Sequence, residues 1–186
     1  ILSGWNSEFF DIPYIVGRLE RILGQEYVDR LSPLGRVYFR LIRGKFGREQ
    51  KRYYIEGISC LDYLDVYRRF CLKLRESYKL DAIGELELGQ RKIDYGDTNL
   101  ATLSDEDWDT FIDYNIQDVN LLVRLEEKLQ YFPLLRKLSY VGLTTLEGAM
   151  GTIQVINGAL CIRARDRGEI ISTFVRNADT GKNPGA

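Results

Sequence analysis

The stretch GWNSEFFDIPYI, residues 4–15, joins a short apolar lead to an amphipathic segment, and Asp11 stands at the joint. Ahead of it, Ile1 to Trp5 read as a buried strand that ends in polar Asn6 and Ser7. Behind it, Ile12, Ile15, Val16, Leu19, Ile22 and Leu23 recur at helical spacing, with Pro13 suited to a first turn and Gly24 to a stop. Two readings of Asp11 follow. It is a good N-cap for that helix, and a helix start at a strand end is also a sound place to hold a carboxylate for chemistry.

Composition narrows the chemistry. The 186 residues suffice for one sizeable domain, and 45% apolar with 28% charged residues is ordinary for a globular chain. Lys and Arg number 26 against 27 Asp and Glu, so the formal charge of −1 gives no global attraction to polyanions; nucleic-acid contact would need local basic patches. The three cysteines, Cys60, Cys71 and Cys161, form no CxxC pair and read as free thiols of a reducing compartment. No apolar run reaches membrane-spanning length, and no partner membrane is expected. Histidine is absent, which excludes Ser-His-Asp and Cys-His nucleophiles and His-based zinc sites. Acid–base or metal chemistry must rest on carboxylates, Tyr or Lys. The opening at Ile1 within a strand, and the close at NPGA, read as those of a fragment.

Working outward, QEYVDRL (residues 25–31) is a further short helix. GRVYFRLIRGKFGREQKRYYIEGIS alternates apolar residues with Arg or Lys around a Gly-containing turn, which predicts a β-hairpin spanning about 35–59 with a basic tip at Lys45, Arg48 and Lys51. Such a tip is either an edge kept soluble by charge or a finger for nucleic-acid backbone. CLDYLDVYRRF reads as a strand end and a helix. SYKLDAIGELEL reads as a second helix capped by Ser77, and GQRKIDYGDTN as a loop carrying Lys92. Asp62 and Asp65 stand at a helix start, where first-turn acids are usually partners of the helix dipole.

The strongest helical signal is SDEDWDTFIDYNIQDVNLLVRLEEKL, residues 104–129. Ser104 is its expected cap, and Trp108, Phe111, Ile112, Val119, Leu122 and Val123 its expected apolar stripe. Phe132-Pro133 is expected to end it, and LLRKLSYV to form one more short helix. Within the long helix Tyr114 and Asp118 lie four apart, on one face. After Gly142 the composition shifts to small residues, followed by a strand-like EIISTFV and a polar tail.

Alone, each acid has a bland explanation. Together, Asn6, Phe10 and Asp11 after a strand, then Tyr114 and Asp118 on a later helix, stand in the order that two-metal 3′→5′ exonucleases of the DEDD type require. The first group resembles the second exonuclease motif of family B DNA polymerases, N-x-x-x-F-D, and YNIQDV resembles the third, Y-x-x-x-D. RLSPLGRV, GISCLDYLDVYRRF, SYKLDAIGELELG and the closing PGA are similar to the replicative polymerases of myovirus-type tailed phages, so the resemblance runs the whole chain.

That resemblance implies an α/β fold: a ribonuclease H-like DEDDy exonuclease domain, truncated at its N-terminus, over residues 1–137, with a protruding β-hairpin and a mixed sheet. Residues 138–186 would be a connector toward the polymerase palm. It implies that Asp11 and Asp118 bind metal and that Tyr114 positions the attacking water. Asn6 and Phe10 would shape the pocket for a frayed 3′ end, and Lys92 would lie near the centre. Lys45, Arg48 and Lys51 would help separate the primer strand. The implied cofactors are two divalent ions, Mg2+ or Mn2+. The implied partners are primer-template DNA, its single-stranded 3′ end, and a sliding clamp with other replisome proteins, in the cytoplasm of an infected bacterial cell. The family's Asp-x-Glu motif and its polymerase aspartates do not occur among these residues, and the fragment alone is expected to be inactive. Two other readings remain open on the residues themselves, a stand-alone DEDDy exonuclease and a non-catalytic nucleic-acid-binding module.

Overall fold

The computed structural model describes residues 1–43, 49–89 and 107–171. Their contacts divide the chain into two units, Ile1–Lys137 and Leu138–Ala186.

In the first unit, α1 (Asp11–Leu23) and α2 (Gln25–Asp29) are separated by Gly24, whose φ of 89° lets the chain reverse where a side chain would be strained. β1 (Val37–Arg43) and β2 (Glu49–Ile55) then form the expected hairpin, antiparallel from Val37↔Ile55 to Arg43↔Glu49. Among its described residues, only those at the base are buried: Val37 and Ile55 pack with Ile12, Val16 and Val28 into one apolar cluster. The Ser32 hydroxyl donates to the Glu56 carbonyl at 2.7 Å, which fixes the base against the turn after α2.

The expected opening strand is reduced to a single parallel bridge, Leu2↔Cys60, with the Tyr63 amide donating to the Gly4 carbonyl at 2.9 Å beyond it. The described residues hold no mixed sheet, because the only partner of this lead-in is the segment that enters α3 (Tyr63–Phe70). A second cluster forms on α3: Tyr63 and Tyr67, 1% and 0% exposed, pack with Ile83 of α4 (Leu80–Leu88) and Leu125 of α5 (Trp108–Leu129). Trp5 joins it and donates its indole N–H to the Tyr78 carbonyl at 3.0 Å.

Several expected boundaries shift. Lys79, not Ser77, is the N-cap of α4; the Ser77 hydroxyl only accepts from the Lys79 amide, at 3.3 Å. Asp107 caps α5, accepting from the Thr110 amide, while Ser104 lies outside the described residues. Phe132-Pro133 does not end α5. Gln130, in the left-handed region at φ 56°, does so, and the proline falls in the first turn of α6 (Tyr131–Val141), where its missing N–H costs no helical bond. The apolar stripe of α5 is also different. Leu121 and Leu125 are buried, whereas Trp108, Ile112, Val119 and Val123 are exposed.

The second unit takes the end of α6, then α7 (Leu146–Ala149) capped by Thr145, and α8 (Thr152–Asp166). Gly142 and Gly158 let the backbone preceding α7 touch α8 directly: a Cβ on Gly158 would overlap the Gly142 carbonyl, and one on Gly142 would sit 2.8 Å from the Val155 Cα. The strand-like reading of EIISTFV finds no strand at Glu169–Ile171, and its later residues lie outside the described ones.

Candidate active site

The turn from Gly4 to Phe10 presents Asp11, and it is held from below by one carboxylate. Asp62, 5% exposed, is the N-cap of α3 and accepts from the Leu64 amide at 3.0 Å. The same carboxylate accepts from the Asn6 amide at 2.9 Å and the Glu8 amide at 3.1 Å, across more than fifty residues of chain. Burial pushes the Asp62 carboxyl above its ordinary range, and these three N–H groups pull it back. Asn6 has φ 66°, a left-handed conformation that asparagine tolerates better than most residues and that aims its amide inward. Within the turn, the Phe10 amide donates to the Asn6 carbonyl and the Ile12 amide to the Ser7 carbonyl, at 3.2 and 2.9 Å.

Asp11 is therefore not the cap. Phe10 occupies the N-cap position, with no side-chain cap bond, and Asp11 is the first residue of α1. Its exposed carboxylate does not spend itself on the helix end, although the positive end of the helix dipole still favours its charge. Asp11 Oδ2 lies 3.8 Å from where a Cβ on Gly4 would be, so the carboxylate leans over the turn it follows. Phe10 beside it is 69% exposed, an aromatic face turned to solvent.

On α5, Tyr114 and Asp118 are half-buried and continue the face of Leu121 and Leu125 at helical spacing. Both side chains take part in further interactions within the fold. Of the Asp118 carboxylate, Oδ1 is buried and accepts no hydrogen bond. Close packing of the two helices beneath sets this face: a Cβ on Gly84 of α4 would lie 2.9 Å from both Leu121 methyls.

The structure thus groups Asn6, Phe10 and Asp11 on one turn, and Tyr114 with Asp118 on one helix face. Among the described residues, no group of three or more Asp, Glu or Cys side chains is placed to hold a metal ion. Lys51 is exposed on β2, its Nζ 4.4 Å from the centre of the Phe39 ring. Lys45 and Arg48 of the hairpin tip, and Lys92, lie outside the described residues.

Two residues that the sequence left in the background carry much of the local structure. Asp62 reads as one of two first-turn acids, yet only Asp65 is an exposed one; the signal was its place immediately before Tyr63-Leu64, at an N-cap. Glu8 is 8% exposed and ion-paired, its Oε1 2.9 Å from Arg52 Nε of β2. Burial pushes its carboxyl upward, Arg52 pulls it down, and Asp65 and Asp62 push it up again.

With this geometry in place, the comparisons can be set beside it. Residues 1–83 match the family model of the exonuclease domain of family B DNA polymerases. Among its relatives, it is 34% identical over 154 residues to the DNA-directed DNA polymerase of Enterobacteria phage T4, an alignment covering 83% of this chain and 17% of the phage protein. It is 31% identical over 171 residues to that of Escherichia phage RB69, covering 92% and 19%. The DNA polymerase delta catalytic subunit of Drosophila melanogaster is 28% identical over 196 residues, covering 100% and 18%. The chain spans less than a fifth of the length of each of these relatives.

Proposed function

We propose that this chain is the part of a replicative DNA polymerase that carries the second and third carboxylate motifs of the proofreading 3′→5′ exonuclease, within a ribonuclease H-like DEDDy domain. The observation that carries the proposal is the coincidence of the exonuclease-domain match over residues 1–83 with a rigid turn that presents Asp11 as an exposed carboxylate. Asp118 supplies the second carboxylate, and Tyr114, one turn before it, supplies a hydroxyl able to orient an attacking water. The exposed Phe10 ring and the Asn6 side chain are suited to a frayed 3′-terminal nucleotide, whose base can stack on an aromatic face. Lys51, with Lys45, Arg48 and Lys92, adds positive charge for the phosphate backbone.

The donor chemistry fits Mg2+ or Mn2+, which prefer carboxylate oxygens, but the donor number does not: such ions take about six oxygens, and the described residues offer no group of three ligating side chains. No catalytic step is therefore assigned to an ion held by this chain alone. Residues 138–186 are the connector toward the palm. The substrate is the mispaired single-stranded 3′ end of a primer-template, and a sliding clamp and other replisome proteins are partners of the whole polymerase, in the cytoplasm of an infected cell.

The test is excision of a single-stranded primer with Mg2+ or Mn2+. The chain alone leaves the primer intact. In a polymerase carrying this segment, Asp11→Ala and Asp118→Ala each slow excision by about 100-fold, equivalent to about 2.7 kcal/mol of barrier, while primer extension continues. Trimming by the isolated chain, or unchanged excision in both variants, overturns the assignment.

A further inference from the structure

The hairpin and the Asp11 turn come from separate parts of the chain, yet one side chain joins them. Glu8 sits inside the turn, its backbone amide on Asp62 and its carboxylate on Arg52 of β2. The pair is largely withdrawn from water on the Glu8 side, whose side chain is 11% exposed against 36% for Arg52. Arg52 stands opposite Arg40 in the register, and its guanidinium lies 5.6 Å from the centre of the Tyr54 ring, which itself stacks on Tyr38 across the strands. Arg52 is thus fixed in the ladder of the hairpin at one end and bound to the turn at the other. Three residues after Glu8 the chain reaches Asp11.

We infer that Glu8 is a positioning residue, which couples the hairpin to the turn that presents Asp11, so that a strand loaded on the hairpin alters the turn. Two features support this. A half-exposed guanidinium paired to a buried carboxylate is stiff, because separating them would leave Glu8 charged and desolvated. The turn has little slack of its own, since Asp62 and the Phe10 and Ile12 amides already fix it. The functional side of the inference rests on the hairpin's contacting DNA; the mechanical side does not.

Trp5 lies in the turn and Trp108 on α5, and there is no third tryptophan. In a Trp108→Phe background, Trp5 is the sole tryptophan and reports the turn together with the α3 cluster on which its indole packs. The probes are short single-stranded oligothymidylate, followed by anisotropy, and amide hydrogen exchange of the free protein. Arg52→Met is expected to speed exchange at Phe10 and Ile12 at least tenfold and to leave Tyr67, within α3, within twofold. Oligothymidylate is expected to shift Trp5 emission in the parent and in Arg52→Lys. In Arg52→Met it binds within about threefold of the parent affinity but produces no shift at saturation. Unchanged exchange at Phe10 and Ile12, or an undiminished Trp5 shift in Arg52→Met, overturns the coupling. Absence of oligothymidylate binding to the parent counts against the DNA reading of the hairpin, and exchange alone then decides the coupling. If Arg52→Met fails to fold, Glu8→Gln, which keeps the volume and removes the charge, carries the same comparison.

Discussion

Asp62 shows how one carboxylate can specify a turn. Its three amide donors come from both sides of the contact, two from the turn and one from the helix it caps. Asp62→Ala would leave three buried or half-buried N–H groups without an acceptor. A lost cap costs about 1 kcal/mol and each stranded donor about 1–3 kcal/mol, so a loss of about 3 kcal/mol or more is expected in urea unfolding. Asp62→Asn, which retains one carbonyl acceptor, is expected to lose about half as much. The residue scale is also where the sequence was most misleading. Asp11 was legible as a functional candidate, but the reading of it as the helix cap fails, because the turn's own hydrogen bonds move the helix start one residue earlier and place Phe10 at the cap.

At the scale of elements, two tyrosines of α3 point their hydroxyls at acids, one on α5 and one on α4. Tyr63 donates to Glu126 Oε2 at 2.8 Å, and Tyr67 donates to Glu87 Oε1 at 2.7 Å while accepting from Arg75. Burial first, and then the bonded carboxylates, push both phenols far above their ordinary value near 10. In the unfolded chain these phenols ionise near pH 10; in the fold they stay protonated. The unfolded state therefore binds fewer protons above that pH, and the stability these groups provide is present below about pH 10 and lost as pH rises past it. Alkaline titration is expected to show two tyrosines that ionise only together with the loss of circular dichroism. Tyr63→Phe should cost about 1 kcal/mol at neutral pH and make the alkaline loss shallower. The hairpin, α1 and α5 were all legible from periodicity and turn residues. The buried face of α5 was not: both Leu121-Leu125 and the exposed apolar set satisfy helical spacing, and only the presence of Gly84 on α4 selects which face is approached.

At the scale of the whole chain, the two units rest on different physics, aromatic and aliphatic clusters in the first and glycine-mediated backbone contact in the second. Alanine at Gly158 improves helix propensity by about 1 kcal/mol, yet its methyl would overlap the Gly142 carbonyl. Overpacking costs of about 1–3 kcal/mol are expected to prevail, with faster amide exchange in α8 and unchanged exchange in α3. The small-residue composition after Gly142 announced a change of packing in the sequence. It did not announce helices, since glycine is a poor helix former and only the close approach explains its use there. Among the described residues, no helix is long and apolar enough to cross a membrane.

The Asp62 contact can also be viewed from its donor side. The amides of Asn6, Glu8 and Leu64 converge on one point, and in chemical terms they form a small anion receptor whose guest is covalently part of the protein. Free anions are therefore kept off these amides by an acid already seated there. Cutting the tether with Asp62→Gly would empty the receptor, and free acetate or formate should then take the vacated place. Added carboxylate salt should restore part of the lost melting temperature to that variant and none to the parent, with chloride at equal ionic strength as the control.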